Sequence, residues 1–247
     1  MNGSRVYRTS ALLVRQRNLA EADRIVIVLT PDRGKLSAVA KGVRRPRSKL
    51  AGALQLFSHA RVQLAVGRSL DVITQAAPVE VFYHLREDLA RFTHASYLCE
   101  LVDTLTEERA PDPPVFDLAR GALQALDAGA DPATVVRAFE LKLLTHLGYG
   151  PVIATCVSCG ERVSGEEAGF SVREGGVLCG QCRGRHGAGL LGPGVLRAMR
   201  DLARLPLDGL AGRRLKAAVQ EELERIVRSY VDYRVERPLR SAALLKR

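Results

Sequence analysis

Apolar residues in the first 80 positions come in short runs, not at helical spacing. The runs "ALLVRQ" (11–16), "RIVIVLT" (24–30), "KLSAVAKG" (35–42), "ARVQLAV" (60–66) and "LDVITQA" (70–76) are rich in Val, Ile and Leu, and turn formers such as "TPDRGK" and "VGRS" separate them. In the fourth run Val62, Leu64 and Val66 share one face while Arg61 and Gln63 take the other, the period-two pattern of a half-buried strand. Between the third and fourth runs, "KLAGALQLF" (Lys49 to Phe57) forms a short helical or irregular link. Three strands, a link and two more strands match a five-stranded OB barrel; an SH3-like barrel competes for the same order.

From residue 84 the period lengthens. Leu85, Leu89, Phe92, Ser96, Cys99 and Val102, with Leu98, Leu101 and Leu105 beside them, follow a 3.6-residue spacing and predict one long amphipathic helix ending before "APDPP". Two more helices fit Val115 to Leu126 and Ala133 to Leu147; for the latter Asp131 serves as N-cap, Pro132 suits the first turn and Gly148 marks the stop. Helices around Gly194 to Leu205 and Leu210 to Val235 complete the pattern. The fold class this predicts is α+β and multidomain: a barrel over 1–80, a first helical part over 81–150, an insert over 151–190 and a helical return over 191–247.

The insert carries the one metal signature. "CVSC" (Cys156, Cys159) and "CGQC" (Cys179, Cys182) give C-x2-C-x19-C-x2-C. Each pair places two thiolates on one side of a tight turn, and two such knuckles supply the tetrahedral S4 set that zinc accepts; an iron centre of the same geometry and an unmetallated thiol cluster are the alternatives. Four thiolates close the coordination shell, which points to a structural metal and not a catalytic one. The intervening "SGEEAGFSVREGG" predicts a β-hairpin in a zinc-ribbon arrangement. His186 reads as a surface histidine outside the ligand set, and the fifth cysteine, Cys99, as a small buried hydrophobe on the long helix.

Charge changes the picture most in the first third. Residues 1–80 hold 14 Lys and Arg against five Asp and Glu, a surplus of nine within the net charge of +10; the other 167 residues are nearly balanced. The densest stretch, "KGVRRPRSKL" (Lys41 to Leu50), has five cations and no carboxylate, and Pro46 limits helix formation, so a mobile loop after the third strand is expected. Up to Glu80 the only aromatic residues are Tyr7 and Phe57. A cation-rich, aromatic-poor barrel predicts binding to nucleic acid through phosphates, with little sequence preference.

Catalytic signatures are missing from the sequence. Gly34 and Lys35 are followed by Leu36 and lack the upstream glycine of a P-loop, "GRHGAGLLGPG" lacks the spacing of a dinucleotide site, and neither HxE nor HExxH occurs. The amino terminus has no apolar run of the secretory kind, and "IVIVL" is too short to span a bilayer, so a cytosolic protein without membrane attachment is expected. An RNA-binding OB and zinc-ribbon protein of translation or transcription fits the same features.

Residues "ADRIVIVLTPDRGKLSAVAKGVRRPRSKLAGALQLFS" and "GRSLDVITQA" resemble the amino-terminal OB domain of the RecO family of bacterial recombination mediators, and the helices, the paired cysteines and "GLLGPGVLRAMRDL" are similar to the rest of that family. The resemblance implies a non-enzymatic role in homologous recombination and DNA repair. It implies binding of single- and double-stranded DNA, strand annealing, and work with RecR and RecF to load RecA onto strands covered by single-strand-binding protein, in the cytoplasm at the nucleoid. Carried onto this chain, Lys35, Lys41, Arg44, Arg45, Arg47 and Lys49 contribute the DNA surface, and Cys156, Cys159, Cys179 and Cys182 hold one structural Zn²⁺. Binding of the acidic tail of single-strand-binding protein is also implied.

Overall fold

A computed structural model describes residues 6–19, 21–164, 167–235 and 239–246. The chain forms two compact units: Met1–Asp127 with Leu239–Arg247, and Ala128–Pro238.

Five strands open the first unit: β1 (Val6–Asn18), β2 (Arg24–Thr30), β3 (Gly34–Ala40), β4 (His59–Ala65) and β5 (Asp71–Glu80). They close into a barrel in the order β1-β2-β3-β5-β4, with β4 pairing back onto β1. This is the OB order, and the SH3-like alternative falls. The closing seam is a short parallel pairing, Ala38 with Asp71 and Val39 with Val72. Closure leaves no long open edge.

β1 serves two neighbours. Its first half pairs with β4 from Val6 to Leu12, its second half with β2 from Leu12 to Asn18, and a bulge between Leu13 and Arg15 turns the strand between them. That irregularity explains why Leu12, Leu13 and Val14 are all buried in spite of the two-residue period. Ala11, Leu13, Val26, Val28, Leu36, Ala38, Val62, Leu64 and Ile73 fill the interior. Val66 is exposed, because β4 ends at Ala65.

The link between β3 and β4 contains turns and no helix, and its Val43, Ala53 and Leu54 plug the barrel core. Phe57 ends it at φ 72°, a left-handed conformation that is uncommon for a bulky residue. The Phe57 N–H donates to the Leu13 carbonyl (2.9 Å), and its fully buried ring meets Phe92 edge-on at 5.4 Å.

The long helix expected from residue 84 is divided. α1 (His84–Glu87) stops at Asp88, which is extended at φ −108° and caps α2 (Leu89–Leu105) by accepting from the Arg91 N–H. α3 (Pro113–Asp127) follows, and a 3₁₀ segment, Ser241–Lys246, returns to α2, where the Arg240 and Ser241 N–H groups donate to the Glu100 carboxylate (2.9 and 2.7 Å).

Residues 107–110, between α2 and α3, lie along the free part of β3. The Arg109 N–H donates to the Lys35 carbonyl (2.8 Å) and the Ser37 N–H to Glu108 (3.3 Å). Gly34, at φ 68°, lies so close to the Ala110 carbonyl that a Cβ has no room. Beneath this segment the fully buried Asp71 accepts from the Tyr7 hydroxyl, the Gly67 N–H (3.2 Å) and Arg109 (3.3 Å).

The second unit holds α4 (Pro132–His146), a two-stranded hairpin β6 (Gly169–Ser171) and β7 (Gly176–Leu178), α5 (Gly180–Arg185), α6 (Val195–Arg204) and α7 (Ala217–Arg234). Asp131 caps α4 as its sequence implies, accepting from the Thr134 N–H at 3.0 Å. α7 begins seven residues later than the apolar pattern suggests. Only Asp208–Leu210 forms a 3₁₀ turn, and Gly212 at φ 71° interrupts the chain before Lys216. Among the described residues no helix is long and apolar enough to cross a membrane.

Candidate metal centre and nucleic-acid interface

Two different turns bring the four cysteines together. Cys156 to Gly160 forms a knuckle: the Gly160 N–H donates to the Cys156 carbonyl (2.9 Å), the Cys156 N–H to Glu161 (2.7 Å), and Gly160 takes φ 79° to close it. The second pair sits where β7 runs into α5, with Cys179 as the helix N-cap and Cys182 in its first turn. The hairpin expected between the pairs is β6–β7; of the quoted stretch, Gly165 and Glu166 lie outside the described residues. The knuckle is laid against β7 by the Val157 N–H, which donates to the Val177 carbonyl (2.9 Å), and Val152 exchanges bonds with Gly175 and Val177 (2.9 and 2.8 Å).

The four sulfurs lie within 4.8 Å of one another, with Cys159 Sγ and Cys179 Sγ 3.8 Å apart. Four donors at this spacing can hold one metal ion. Their electrostatics ask for a cation. Burial raises the Cys156 thiol, but backbone N–H groups of Cys179, Cys159 and Ser158 directed at its sulfur outweigh burial and lower it to about 6. The Glu161 N–H draws Cys159 down, yet the sulfurs of Cys156, Cys179 and Cys182, with burial, push it up to about 12. Thiolates this close cannot all be charged unless a positive ion sits among them.

His186 lies outside this set: it bonds Ser158 Oγ (3.2 Å) through Nε2 and faces Glu174 (3.4 Å) through Nδ1. Arg200 of α6 straps the knuckle, donating to the carbonyls of Ile153 (2.7 Å), Val163 (2.9 Å) and Ala154 (3.3 Å). No local pattern around Arg200 marks it for this role.

The basic stretch forms a set of turns at the end of β3. Asp23, in the β1–β2 turn, accepts from the Gly42 N–H (2.7 Å), and the Arg44 N–H donates to the Ala22 carbonyl (3.0 Å). Further bonds run from the Arg45 N–H to Gly42 (3.1 Å) and from the Ser48 N–H to Arg45 (3.0 Å), so the backbone of the expected mobile loop is tied at four points. Lys41, Arg44, Arg45, Arg47 and Lys49 are all exposed, and among the described residues no carboxylate pairs with Lys41, Arg45, Arg47 or Lys49.

Lys35 is placed differently. Its side chain is only 13% exposed, its ammonium lies 3.2 Å from the Asp103 carboxylate, and it also donates to the Asp103 carbonyl, tying β3 to α2. Arg15 shares that carboxylate at 3.1 Å while remaining largely exposed. Arg15 and Arg17, with Gln16, Ile25, Ile27, Ser37 and Leu70, line a cleft of about 260 Å³ on the outer face of β1, β2 and β3. Arg15 stands near the end of the apolar run 11–16 and Arg17 just past it on β1, and only the excess charge of the first third points to them. The barrel offers no open ring: Phe57 is buried, and the Tyr7 ring lies under the Arg33 guanidinium at 4.0 Å with its hydroxyl on Asp71.

Comparison with known proteins assigns both parts of the chain. Residues 1–82 match the family model "Recombination protein O N terminal" and residues 86–243 match "Recombination protein O C terminal". The "DNA repair protein RecO" of Symbiobacterium thermophilum is 43% identical over 248 residues, covering 97% of this chain and 96% of that protein. The protein of the same name from Roseiflexus sp. is 40% identical over 242 residues (98% and 85% covered), and that of Heliobacterium modesticaldum 37% over 248 residues (98% and 90%). With its amino-terminal barrel and its carboxy-terminal helices both matched, the chain belongs to the RecO family of DNA repair and recombination proteins.

Proposed function

We propose that this protein is a non-enzymatic recombination mediator that binds single- and double-stranded DNA with little sequence preference and anneals complementary strands. With RecR and RecF it helps to load RecA onto strands coated by single-strand-binding protein, working in the cytoplasm at the nucleoid. The observation that carries this reading is the exposed cation cluster of Lys41, Arg44, Arg45, Arg47 and Lys49 on a barrel whose two rings are covered. Such a surface attracts phosphates and leaves base edges free to pair. Lys35 enters this reading as a further DNA contact of β3, at the opposite end of the strand from the turns and with its charge held by Asp103. Arg15 and Arg17 extend the positive face into the cleft.

The division of labour follows the sequence: 1–80 binds nucleic acid, 81–150 and 191–247 form the helical part, and 151–190 the zinc insert. Zn²⁺ fits the four sulfurs, because a tetrahedral site with Zn–S of about 2.3 Å has sulfurs about 3.8 Å apart, the separation of Cys159 and Cys179. Cys156, Cys159, Cys179 and Cys182 would hold it as a closed shell that joins the knuckle, the hairpin and α5. The bound ion supplies the positive charge the thiolates require; no reaction is assigned to it.

The test is annealing of complementary strands, bare and coated with single-strand-binding protein, with and without RecR. Faster annealing on bare strands, and retention on coated ones with RecR, is expected. No acceleration in any arm, or equal preference for RNA of the same sequence, overturns the assignment.

A further inference from the structure

Two open aromatic side chains of the second unit, Tyr149 and Tyr233, belong to segments that meet around Tyr230 and the Arg234 guanidinium. Tyr149, just past α4, is 51% exposed, Tyr233, near the end of α7, is 57% exposed, and Val152, bonded to Gly175 of the hairpin, is 44% exposed. Buried Tyr230 organises the group: its hydroxyl donates to the Tyr149 carbonyl (3.0 Å) and accepts from Arg234 Nη2 (3.2 Å), and its ring meets Phe170 of β6 edge-on at 5.8 Å. The Arg234 guanidinium lies 5.1 Å from the Tyr230 ring and 5.7 Å from the Tyr233 ring. Gly175, at the tip of the hairpin with φ 86°, approaches so closely that a Cβ there would stand 3.1 Å from Arg234 Nη2. Three separate segments of the unit therefore converge on Arg234.

Among the described residues, the carboxylates of Asp232 and Glu174 are engaged. Asp232 is bonded by Arg228 (3.0 and 3.1 Å), and Glu174 faces His186 (3.4 Å). The open surface that remains presents two rings, a guanidinium and the exposed Arg173. Two rings beside a cation suit flat, unpaired bases on a negative backbone, whereas an apolar helix or strand would need a longer stripe of aliphatic side chains than Val152 provides.

We propose that Tyr149, Tyr233 and Arg234 form a base-stacking platform for single-stranded DNA, separate in chemistry from the phosphate-binding turns of the barrel. This rests on the DNA-binding role proposed above. A duplex keeps its bases stacked internally, so the platform favours single strands.

The test uses the full, zinc-loaded chain and three labelled probes: a single-stranded oligonucleotide, an abasic strand of the same length and charge, and a duplex. Wild type should bind the base-bearing strand about tenfold more tightly than the abasic one, of the order that one or two stacked bases supply. The Tyr149→Ala/Tyr233→Ala pair should lose that preference with abasic affinity unchanged, and Tyr149→Phe/Tyr233→Phe should retain it. Both side chains are more than half exposed, so a thermal melt should match wild type. An alanine pair that keeps the preference, or loses affinity equally for both single strands, overturns the platform. Wild type that binds base-bearing and abasic strands equally overturns the platform alone; wild type that binds neither overturns the DNA-binding reading itself.

Discussion

Removing Arg44, Arg45 and Arg47 together tests whether the basic turns contact phosphate. Five exposed cations stand in this stretch, and Lys35 is not added to them because Asp103 holds its ammonium at 3.2 Å. At about −0.7 per neutralised phosphate on a single strand, five contacts give a slope of log K against log salt of about −3.5, and two remaining contacts about −1.4. Between 50 and 200 mM salt the wild type should therefore lose about 130-fold in affinity and the triple alanine variant about sevenfold. Cations elsewhere on the barrel, Arg17 among them, would steepen both slopes and leave the difference of about 2 unchanged. The assay is fluorescence anisotropy with a labelled oligonucleotide of one sequence across a salt series. Because the three side chains are exposed, the variant's unfolding free energy should stay within about 0.5 kcal/mol of wild type. Parallel slopes for the two proteins refute the reasoning, as does a Lys35→Ala variant that flattens the slope as much.

Metal removal should be felt through the second unit: a strong chelator, or Cys159→Ser, is expected to lower its melting point and expose β6–β7 to proteolysis, since small thiolate sites draw most of their folding free energy from the ion, and an unchanged melt with four sulfur neighbours absent from X-ray absorption would exclude a structural metal. Burial raises the Asp71 carboxyl, but the Tyr7 hydroxyl, the Gly67 N–H and Arg109 outweigh it and hold it below the usual range. The unfolded chain thus takes up that proton at higher pH than the folded one, so the stability from Asp71 is full above about pH 4 and falls as pH drops through the folded value. Asp71→Asn should cost about 2 kcal/mol at neutral pH and flatten this acid limb in urea titrations; an unaltered limb would count against the network. Gly34→Ala must relieve both a φ of 68° and a collision with the Ala110 carbonyl, so a loss of at least about 2 kcal/mol is expected, measured by the same titrations.

What the sequence discloses follows the range of the interactions involved. Strands β2, β3 and β4 and the cap at Asp131 depend on neighbours within a few residues, and their apolar spacing and cap chemistry reveal them. The cysteine cluster is legible for the same reason, because each C-x2-C turn is local and only the closure of the two on each other is not. The bulge in β1 is hidden, since Leu12, Leu13 and Val14 read as a plain apolar run until two different partners are known. The division at Asp88 escapes an apolar count that treats a capping aspartate as one more polar position. Least visible is the state of Lys35: its partner, Asp103, is 68 residues away on α2, and no spacing rule connects a strand lysine with a helix aspartate at that distance. The same holds for Tyr149 and Arg234, which are linked through the Tyr230 hydroxyl.

Charge and aromatic rings are distributed in a way that bears on annealing. Stacking a base on a ring holds it apart from its complement, whereas neutralising its phosphate removes the repulsion between strands and leaves the pairing edge open. In the barrel, where cations are concentrated, Phe57 is sealed against Phe92 and Tyr7 lies beneath Arg33, so on the proposed reading a strand drawn there meets charge without rings. The open rings of the second unit, Tyr149 and Tyr233, stand on a segment whose charges are nearly balanced in sequence. On the proposed reading, a strand is gathered by one kind of chemistry and its unpaired bases are sensed by another. A duplex product satisfies only the first. Completed annealing then removes the stacking contribution to binding and leaves the phosphate contribution in place.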